Sequence, residues 1–537
     1  MNSAHQPSPQ PLSPLRRLLR LTNARLASQA VFLGLFVFFI WAGWTSRLAG
    51  FPVSWLLELD PLTALATALS GGTLYRGLGW SLLVVALTFV FGRVFCNWIC
   101  PFGTLHQLAG WLFNTRGNRE RIAQNEYRRR QYLKYSLLVA LLVMAALGVL
   151  QTGLLDPIAT VYRGWALTVA PAADMAAGRL GAPEWMLFAP GVKERVFTGS
   201  FWAGLFFLGL LALNIRWPRF FCRVLCPLGA LLGVLSRLAL FRINRDPALC
   251  NGCNVCLTRC EGASDPHSVL RLSECLACMN CLDDCHEGAL RYTMLGLDKT
   301  QVNPAPDMGR RRLLFAGLGG LLAVPLLKGN GWTDDSNYSP LMIRPPGSLP
   351  ERSFLARCIK CEQCVNVCPT NVLQPATLAE GGIEALWTPV LRFNIAHCQL
   401  KCTLCSEVCP TGAIRHITTA EKMGLGPHRQ AGPVRLGTAF LNTTRCLPWA
   451  NQIPCVVCEE VCPVVPKAIQ TREEEVKDVF GKLVVLRKPF IVPDLCIGCG
   501  ICQAECPVTD RPAVYVTAVG ESRSRERALL LSPRRMD

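Results

Sequence analysis

Hydrophobic positions along this chain follow two regimes. The first 242 residues carry four long apolar stretches, Ala27–Thr45, Gly79–Val94, Tyr135–Leu154 and Val196–Ile215. Each is close to the length at which a helix crosses a bilayer. The second reaches that length only by running on into the cysteine motif behind it. Beyond residue 242 the apolar runs shorten and cysteines recur at close intervals. The pattern predicts a multidomain chain: a four-helix transmembrane bundle, then small α+β modules.

Charge sets the orientation. Arg16, Arg17, Arg20 and Arg25 precede the first stretch. Arg116, Arg119, Arg121, Arg128, Arg129, Arg130 and Lys134 lie between the second and third, and Arg216, Arg219, Arg223, Arg237 and Arg242 follow the fourth. The loops at about 50–75 and 155–195 are poor in charge. By the positive-inside bias both ends of the bundle face the cytoplasm. Residues 1–329 hold 32 Lys+Arg against 17 Asp+Glu, and 330–537 hold 23 against 20. The net charge of +18 therefore follows the membrane pattern and forms no phosphate-binding face, which excludes a nucleic-acid partner. Only 17% of the 537 residues are charged and 51% are hydrophobic, which fits a bilayer half.

The membrane half is an internal repeat. Leu59-Asp60-Pro61 and Leu155-Asp156-Pro157 each follow the first helix of a hairpin. Arg93-Val94-Phe95-Cys96-Asn97-Trp98-Ile99-Cys100-Pro101 and Arg219-Phe220-Phe221-Cys222-Arg223-Val224-Leu225-Cys226-Pro227 each end the second. Two hairpins related by a pseudo-two-fold axis are the expected architecture. Cysteines four apart share one face of a helix. Cys96, Cys100, Cys222 and Cys226 thus stand either as one metal or redox centre or as four thiols packed like small hydrophobes.

The other 24 of the 28 cysteines form six quartets. Cys250, Cys253, Cys256 and Cys260 follow C-x2-C-x2-C-x3-C, as do Cys275, Cys278, Cys281 and Cys285; Cys358, Cys361, Cys364 and Cys368; and Cys496, Cys499, Cys502 and Cys506. Cys398, Cys402, Cys405 and Cys409 open one residue wider, and Cys446, Cys455, Cys458 and Cys462 open with an eight-residue gap. A disulfide scaffold would be short and secreted, and a zinc site needs no third cysteine at this interval. Three thiolates on one loop wrap a cubane, and the fourth cysteine reaches the neighbouring cluster. Six [4Fe–4S] clusters follow. Proline stands after the last cysteine in the final four quartets, whereas Glu261 and His286 stand there in the first two. In the first pair the exchange joins Cys285 to Cys250, Cys253 and Cys256, and Cys260 to Cys275, Cys278 and Cys281. Among the last four quartets, nested exchange (first with fourth, second with third) and sequential exchange both remain open.

Between the modules Gly309-Arg310-Arg311-Arg312-Leu313-Leu314-Phe315 opens an apolar run to Leu327, with Arg344-Pro345-Pro346-Gly347 beyond. This resembles a twin-arginine export signal placed mid-chain; a buried or interfacial helix is the alternative. The expected domains are a basic cytoplasmic tail (1–26), the four-helix transmembrane domain (27–242), a two-cluster ferredoxin domain (243–300), the twin-arginine-like segment and linker (301–345), and a four-cluster ferredoxin domain (346–537).

On these motifs residues 1–300 resemble the NapH family, the quinol-dehydrogenase membrane subunit of periplasmic nitrate reductase systems. Residues 305–537 resemble its partner NapG, and the whole looks like the two fused head to tail. MauN and MauM share the pattern; NosR and CcoG share the membrane motifs. The resemblance implies a multi-pass protein of the bacterial inner membrane that takes electrons from quinol through six [4Fe–4S] clusters. Its acceptor would be a multihaem c-type cytochrome or a periplasmic molybdenum reductase. The N-terminus and first cluster pair would be cytoplasmic, and the last four clusters periplasmic. NosR and CcoG imply a second reading, a metal-handling or assembly factor, with the additional metal centre at the CxxxC pairs. Oxidation of quinol releases protons, and Asp60 and Asp156 are candidate acceptors; Asp before Pro is equally the signature of a helix cap.

Overall fold

A computed structural model describes residues 21–523, apart from 47, 49, 74, 114–116, 182–194, 295–304, 307, 329–339, 478–482 and 509. Most of the expected basic tail and the heart of the 301–345 linker lie outside the described residues. The chain forms two compact units, each assembled from three stretches: 1–37, 82–138 and 210–310 in the first, and 38–81, 139–209 and 311–537 in the second.

The first apolar stretch is a 24-residue helix, α1 (Leu21–Trp44). Among the described residues it is the one helix long and apolar enough to cross a membrane. After α2 (Pro61–Gly71), the other stretches give shorter helices. A 3-10 turn at Arg76–Trp80 leads into α3 (Ser81–Phe91), followed by α4 (Val94–Trp98) and α5 (Pro101–Phe113). The third stretch gives α6 (Leu133–Ala146), then α7 (Pro157–Gly164), and the fourth gives α8 (Ser200–Arg216), then α9 (Pro227–Leu235). Hydropathy overran two of these ends. Gly92 (φ +77°) and Gly148 (φ +81°) turn the chain into the left-handed region, where glycine goes without steric cost and a helix stops.

In the first unit, β1 (Phe241–Arg245) and β2 (Leu290–Met294) pair antiparallel, Phe241 opposite Met294 and Arg245 opposite Leu290. Ile243, Leu270, Leu272, Met279 and Leu290 form the core beneath them, with Trp98 packed against it. Polar anchors hold the cysteine loops to the helices. Glu274, 2% exposed, accepts from Tyr135 Oη (2.7 Å) and Gln131 Nε2 (2.9 Å) and pairs with buried Lys134. A buried carboxylate persists only with such partners.

In the second unit α10 (Arg310–Lys328) lays Val324 against Leu141 and Met144 of α6. Gly320 allows this approach, because a Cβ there would lie 2.6 Å from the Ala140 carbonyl oxygen. Three two-stranded antiparallel sheets follow: β3 (Leu373–Pro375) with β4 (Pro389–Leu391), β5 (Thr438–Leu441) with β8 (Val514–Thr517), and β6 (Ile469–Lys477) with β7 (Leu483–Ile491). Fully buried Arg344 ties this half together, donating to Glu351 Oε1 (2.7 Å), Thr388 Oγ1 (2.8 Å) and the Pro389 carbonyl (2.9 Å).

Candidate metal centres

Four of the quartet loops share one backbone design, and all six carry the third cysteine on a helical turn. Residues between the early cysteines take left-handed backbone: Met279, Asn254, Glu362 and Gly500 at φ +62°, +58°, +63° and +80°. Each then enters a helical turn that carries the third cysteine. Cys281, Cys364, Cys405, Cys458 and Cys502 lie on Asn280–Asp284, Gln363–Asn366, Leu404–Glu407, Val457–Glu460 and Ile501–Ala504, and Cys256 lies on Val255–Leu257. Backbone N–H groups reach the sulfurs: Ala439 to Cys496, Ile414 to Cys409 and Ala513 to Cys506, each at 3.4 Å. Such donors favour the thiolate form.

Three cavities in the second unit each gather four cysteines, three from one quartet and the last from its neighbour. Cys358, Cys361 and Cys364 meet Cys409. Cys398, Cys402 and Cys405 meet Cys368. Cys496, Cys499 and Cys502 meet Cys462. Cys506 in turn acts electrostatically on Cys446 and Cys458. Side chains that nested exchange would bring together do not share these cavities; the cysteines that do share them come from consecutive quartets. In the first unit Cys256 feels Cys285 as well as Cys250 and Cys253, while Cys275, Cys278 and Cys281 each feel Cys260. Among the described residues no three His, Cys, Asp or Glu side chains group as ligands of one metal ion. A cubane holds its thiolates at separate corners, so cavities ringed by four thiols and met by N–H donors fit [4Fe–4S] clusters.

Sequence reasoning passed over the arginines of the repeat. Arg93 and Arg219 occupy equivalent positions, three before Cys96 and Cys222, and that alignment was the signal that could have found them. Both are buried. Arg93 donates to the Ser273 carbonyl (2.8 Å) beside the second quartet. Arg219 Nε donates to Glu261 (2.5 Å), and Arg223 donates to the carbonyls of Cys260 and Glu261 (2.9 Å each). At Glu261, where the last four quartets carry proline, guanidinium groups grip the turn after Cys260. A lysine was also missed: buried Lys422 Nζ lies 3.4 Å from Cys398 Sγ and donates to the carbonyls of Gln399 and Cys402 (2.8 and 2.7 Å).

The membrane-motif cysteines do not share one helix. Cys96 lies on α4 and Cys222 on a π-helical turn (Phe221–Leu225), whereas Cys100 and Cys226 directly precede Pro101 of α5 and Pro227 of α9. Proline at the first helical position starts each new helix, and Cys226 Sγ caps its own by accepting from Gly229 N (3.2 Å). The four thiols still converge, since Cys222, Cys96 and Cys100 all act electrostatically on Cys226.

Asp60 and Asp156 also meet, in the second unit. Each caps a helix: Asp60 accepts from Leu62 N (2.9 Å) and Thr63 Oγ1 (2.7 Å), and Asp156 Oδ1 from Ile158 N and Ala159 N (2.9 and 2.8 Å). Both are fully buried, and the Asp60 carboxylate acts electrostatically on Asp156. Burial first, and the Asp60 carboxylate second, hold the Asp156 carboxyl well above its ordinary 3.8.

Comparisons with known proteins agree with the cysteine geometry. One 4Fe-4S binding domain model matches twice, at 73–119 and 200–246, so both membrane motifs satisfy the same pattern. A 4Fe-4S dicluster domain matches 357–413 and a further 4Fe-4S binding domain 489–508. The ferredoxin-type protein NapG of Escherichia coli is 34% identical over 215 residues, 39% of this chain and 86% of NapG. The methylamine utilization ferredoxin-type protein MauM of Paracoccus denitrificans is 34% identical over 215 residues, 40% of this chain and 86% of MauM. The ferredoxin-type protein NapH of Haemophilus influenzae is 25% identical over 230 residues, covering 40% and 67%. No solved structure matches.

The carboxyl pair yields a pH prediction. With its folded value raised, Asp156 favours the fold fully below the unfolded value near 3.8, and that contribution is lost as pH rises through the folded value. Asp156→Asn keeps the cap and supplies an N–H to Asp60. Thermal unfolding across pH should show the variant losing less stability than the wild type as pH rises; parallel curves would mean that the Asp156 carboxyl is not raised in the fold.

Proposed function

Since the chain belongs to the NapG- and NapH-like ferredoxin-type iron–sulfur proteins, we propose that it conducts electrons from membrane quinol, through six [4Fe–4S] clusters, to a periplasmic redox partner. The observation that supports this reading is that cysteines of consecutive quartets line the same cavities, an arrangement that would bind six quartets into three two-cluster modules. Cys250, Cys253, Cys256 and Cys285 would hold one cluster and Cys275, Cys278, Cys281 and Cys260 the next. The remaining sets are Cys358, Cys361, Cys364, Cys409; Cys398, Cys402, Cys405, Cys368; Cys446, Cys455, Cys458, Cys506; and Cys496, Cys499, Cys502, Cys462. When bound, such clusters supply one-electron carriers. The chain's own part is to furnish thiolates, fix their spacing with buried arginine and lysine anchors, and exclude water.

The proposal includes a four-helix membrane domain over 27–242 and export of the last module behind Arg310, Arg311 and Arg312. What supports it is the connectivity. The chain passes from one compact unit to the other after residues 37, 81, 138, 209 and 310, within each apolar stretch and at the arginine run. The arginine-rich segments 116–134 and 216–242 belong to the unit with the first cluster pair. The motif cysteines Cys96, Cys100, Cys222 and Cys226 would form a further redox centre, supported by their convergence. Asp60 and Asp156 would take protons from quinol as well as cap. Normal quinol-dependent turnover in both Asp→Asn variants would leave them as caps alone.

Three measurements test the proposal. Anaerobic analysis should give about 24 iron atoms per chain, four for each of six clusters; half that, or stoichiometric zinc, would overturn it. Protease added to intact spheroplasts should cut beyond about residue 330 and spare 245–300. Protection of both regions would place every cluster in the cytoplasm. Joint Cys96→Ser and Cys222→Ser substitution should abolish quinol-dependent reduction while iron content stays at the wild-type level; undiminished reduction would return these thiols to a packing role.

A further inference from the structure

The cavity lined by Cys368, Cys398, Cys402 and Cys405 in the second unit differs from its neighbours in the charge placed around it. Lys422 lies on the short helix Thr419–Met423, which Thr418 caps by accepting from Glu421 N (3.1 Å) and Gly424 ends at φ +66°. The helix turns this lysine inward. It is 6% exposed, and its Nζ lies 3.4 Å from Cys398 Sγ. The remaining ammonium hydrogens go to the carbonyls of Gln399 and Cys402, at 2.8 and 2.7 Å. The adjacent Glu421 is taken by Arg415. Among the described residues no carboxylate pairs with Lys422; its partners are the sulfur and carbonyls of one cysteine loop.

A buried ammonium is costly unless negative charge meets it, and carbonyls offer only dipoles. Four thiolates around an iron–sulfur cube supply that charge, and it grows by one unit with each electron accepted. Lys422 acts electrostatically on all three thiols of its loop, Cys398, Cys402 and Cys405, favouring the thiolate at each. Buried Arg195 acts on the fourth member, Cys368. Every thiol of this set therefore stands near a buried cation.

The neighbouring sets are balanced differently. Lys360 and Arg344 act on Cys358, but Glu362 acts with the opposite sign on Cys361 and Cys364. Lys360 gives its ammonium to Gln151 Oε1 (2.5 Å). Half-buried Arg435 acts on Cys496, which accepts from the uncharged Ala439 N. On Cys446 and Cys458 the charges that act are those of other cysteines. A nearby cation stabilises the more negative, reduced state of a cluster and so raises its potential. We propose that Lys422 holds the cluster of Cys398, Cys402, Cys405 and Cys368 at the highest potential in the four-cluster domain, where an electron entering that domain comes to rest. The electron is added without a bond being made or broken, and its source is the proposed quinol donor. Lys422 is a positioning residue, acting through Cys398. The inference rests on the cluster reading above and adds to it an order of potentials.

The test is an anaerobic redox titration of the full cluster-loaded chain in detergent, with dithionite as reductant and EPR as the readout. Lys422→Gln keeps N–H donors for the loop and removes the charge, Lys422→Met removes both, and Lys422→Arg keeps the charge. In the Gln and Met variants one component should shift to lower potential while iron content stays at the wild-type level. Its ratio of reduced to oxidised form at a fixed potential should fall at least about tenfold, which is about 59 mV for one electron. Lys422→Arg should stay within about threefold of wild type. Only the cluster pair of the first unit can precede this component, so in the wild type it should be among the first three of about six to be reduced. Unchanged potentials in iron-replete variants, or a shift confined to a later component, would overturn the inference while leaving the cluster reading intact. Loss of about four iron atoms in both the Gln and Met variants, restored in Lys422→Arg, would make Lys422 an anchor of the loop alone and overturn it as well. If only Lys422→Met loses iron, the Gln variant decides by the same shift. A wild-type chain with no dithionite-reducible EPR signal would overturn the cluster reading itself.

Discussion

Thiolates drawn from two loops around one cavity are the constraint on which the rest of this protein depends. A loop with three cysteines and no fourth cannot close its own site. Cys409 serves the loop of Cys358, and Cys368 serves the loop of Cys398, so neither loop is complete until both are in place. Ligand binding and folding are then one process, because the site exists only when the chain segments have met. The two-stranded sheet β5–β8 works to the same end, bringing Ala439 N to within 3.4 Å of Cys496 across a long sequence separation.

Holding such sites in place is the work of buried cations. A buried guanidinium is costly unless its donors are met, and here backbone carbonyls of the cysteine loops meet a share of them. Arg93 and Arg223 in the first unit donate to loop carbonyls. In the second, Arg163 donates to the Lys360 carbonyl (2.9 Å) and lies 4.3 Å over the Trp387 ring. These arginines serve two ends at once, fixing loop geometry and placing positive charge near thiolates. Lys422 does the same with its ammonium at Gln399 and Cys402, while the rigid fork of arginine spreads its donors over a wider set of carbonyls.

The internal repeat has different consequences in the two units. In the first it brings two CxxxCP motifs together, so that four thiols face one another. In the second it brings two Leu-Asp-Pro motifs together, so that one buried capping carboxylate acts on the other. Each unit therefore turns a repeated motif into a paired site, and a single motif copy would supply only half of either.

Much of this was legible in the sequence, because spacing carries it. The intervals of the six quartets, the repeated Arg-x-x-Cys-x-x-x-Cys-Pro, and the Asp-Pro caps are local patterns whose chemistry follows from chain geometry over a few residues. The positions of the apolar helices were legible too, but their ends were not, since a hydropathy window cannot see the turn that Gly92 or Gly148 imposes. What only the tertiary structure decided is which distant groups meet: cysteines of consecutive quartets around one cavity, the arginines standing in for proline at Glu261, and the break between Cys96 and Cys100. A sequence states which side chains are available at each position. Partnership across dozens or hundreds of residues is set by packing, and no local interval records it.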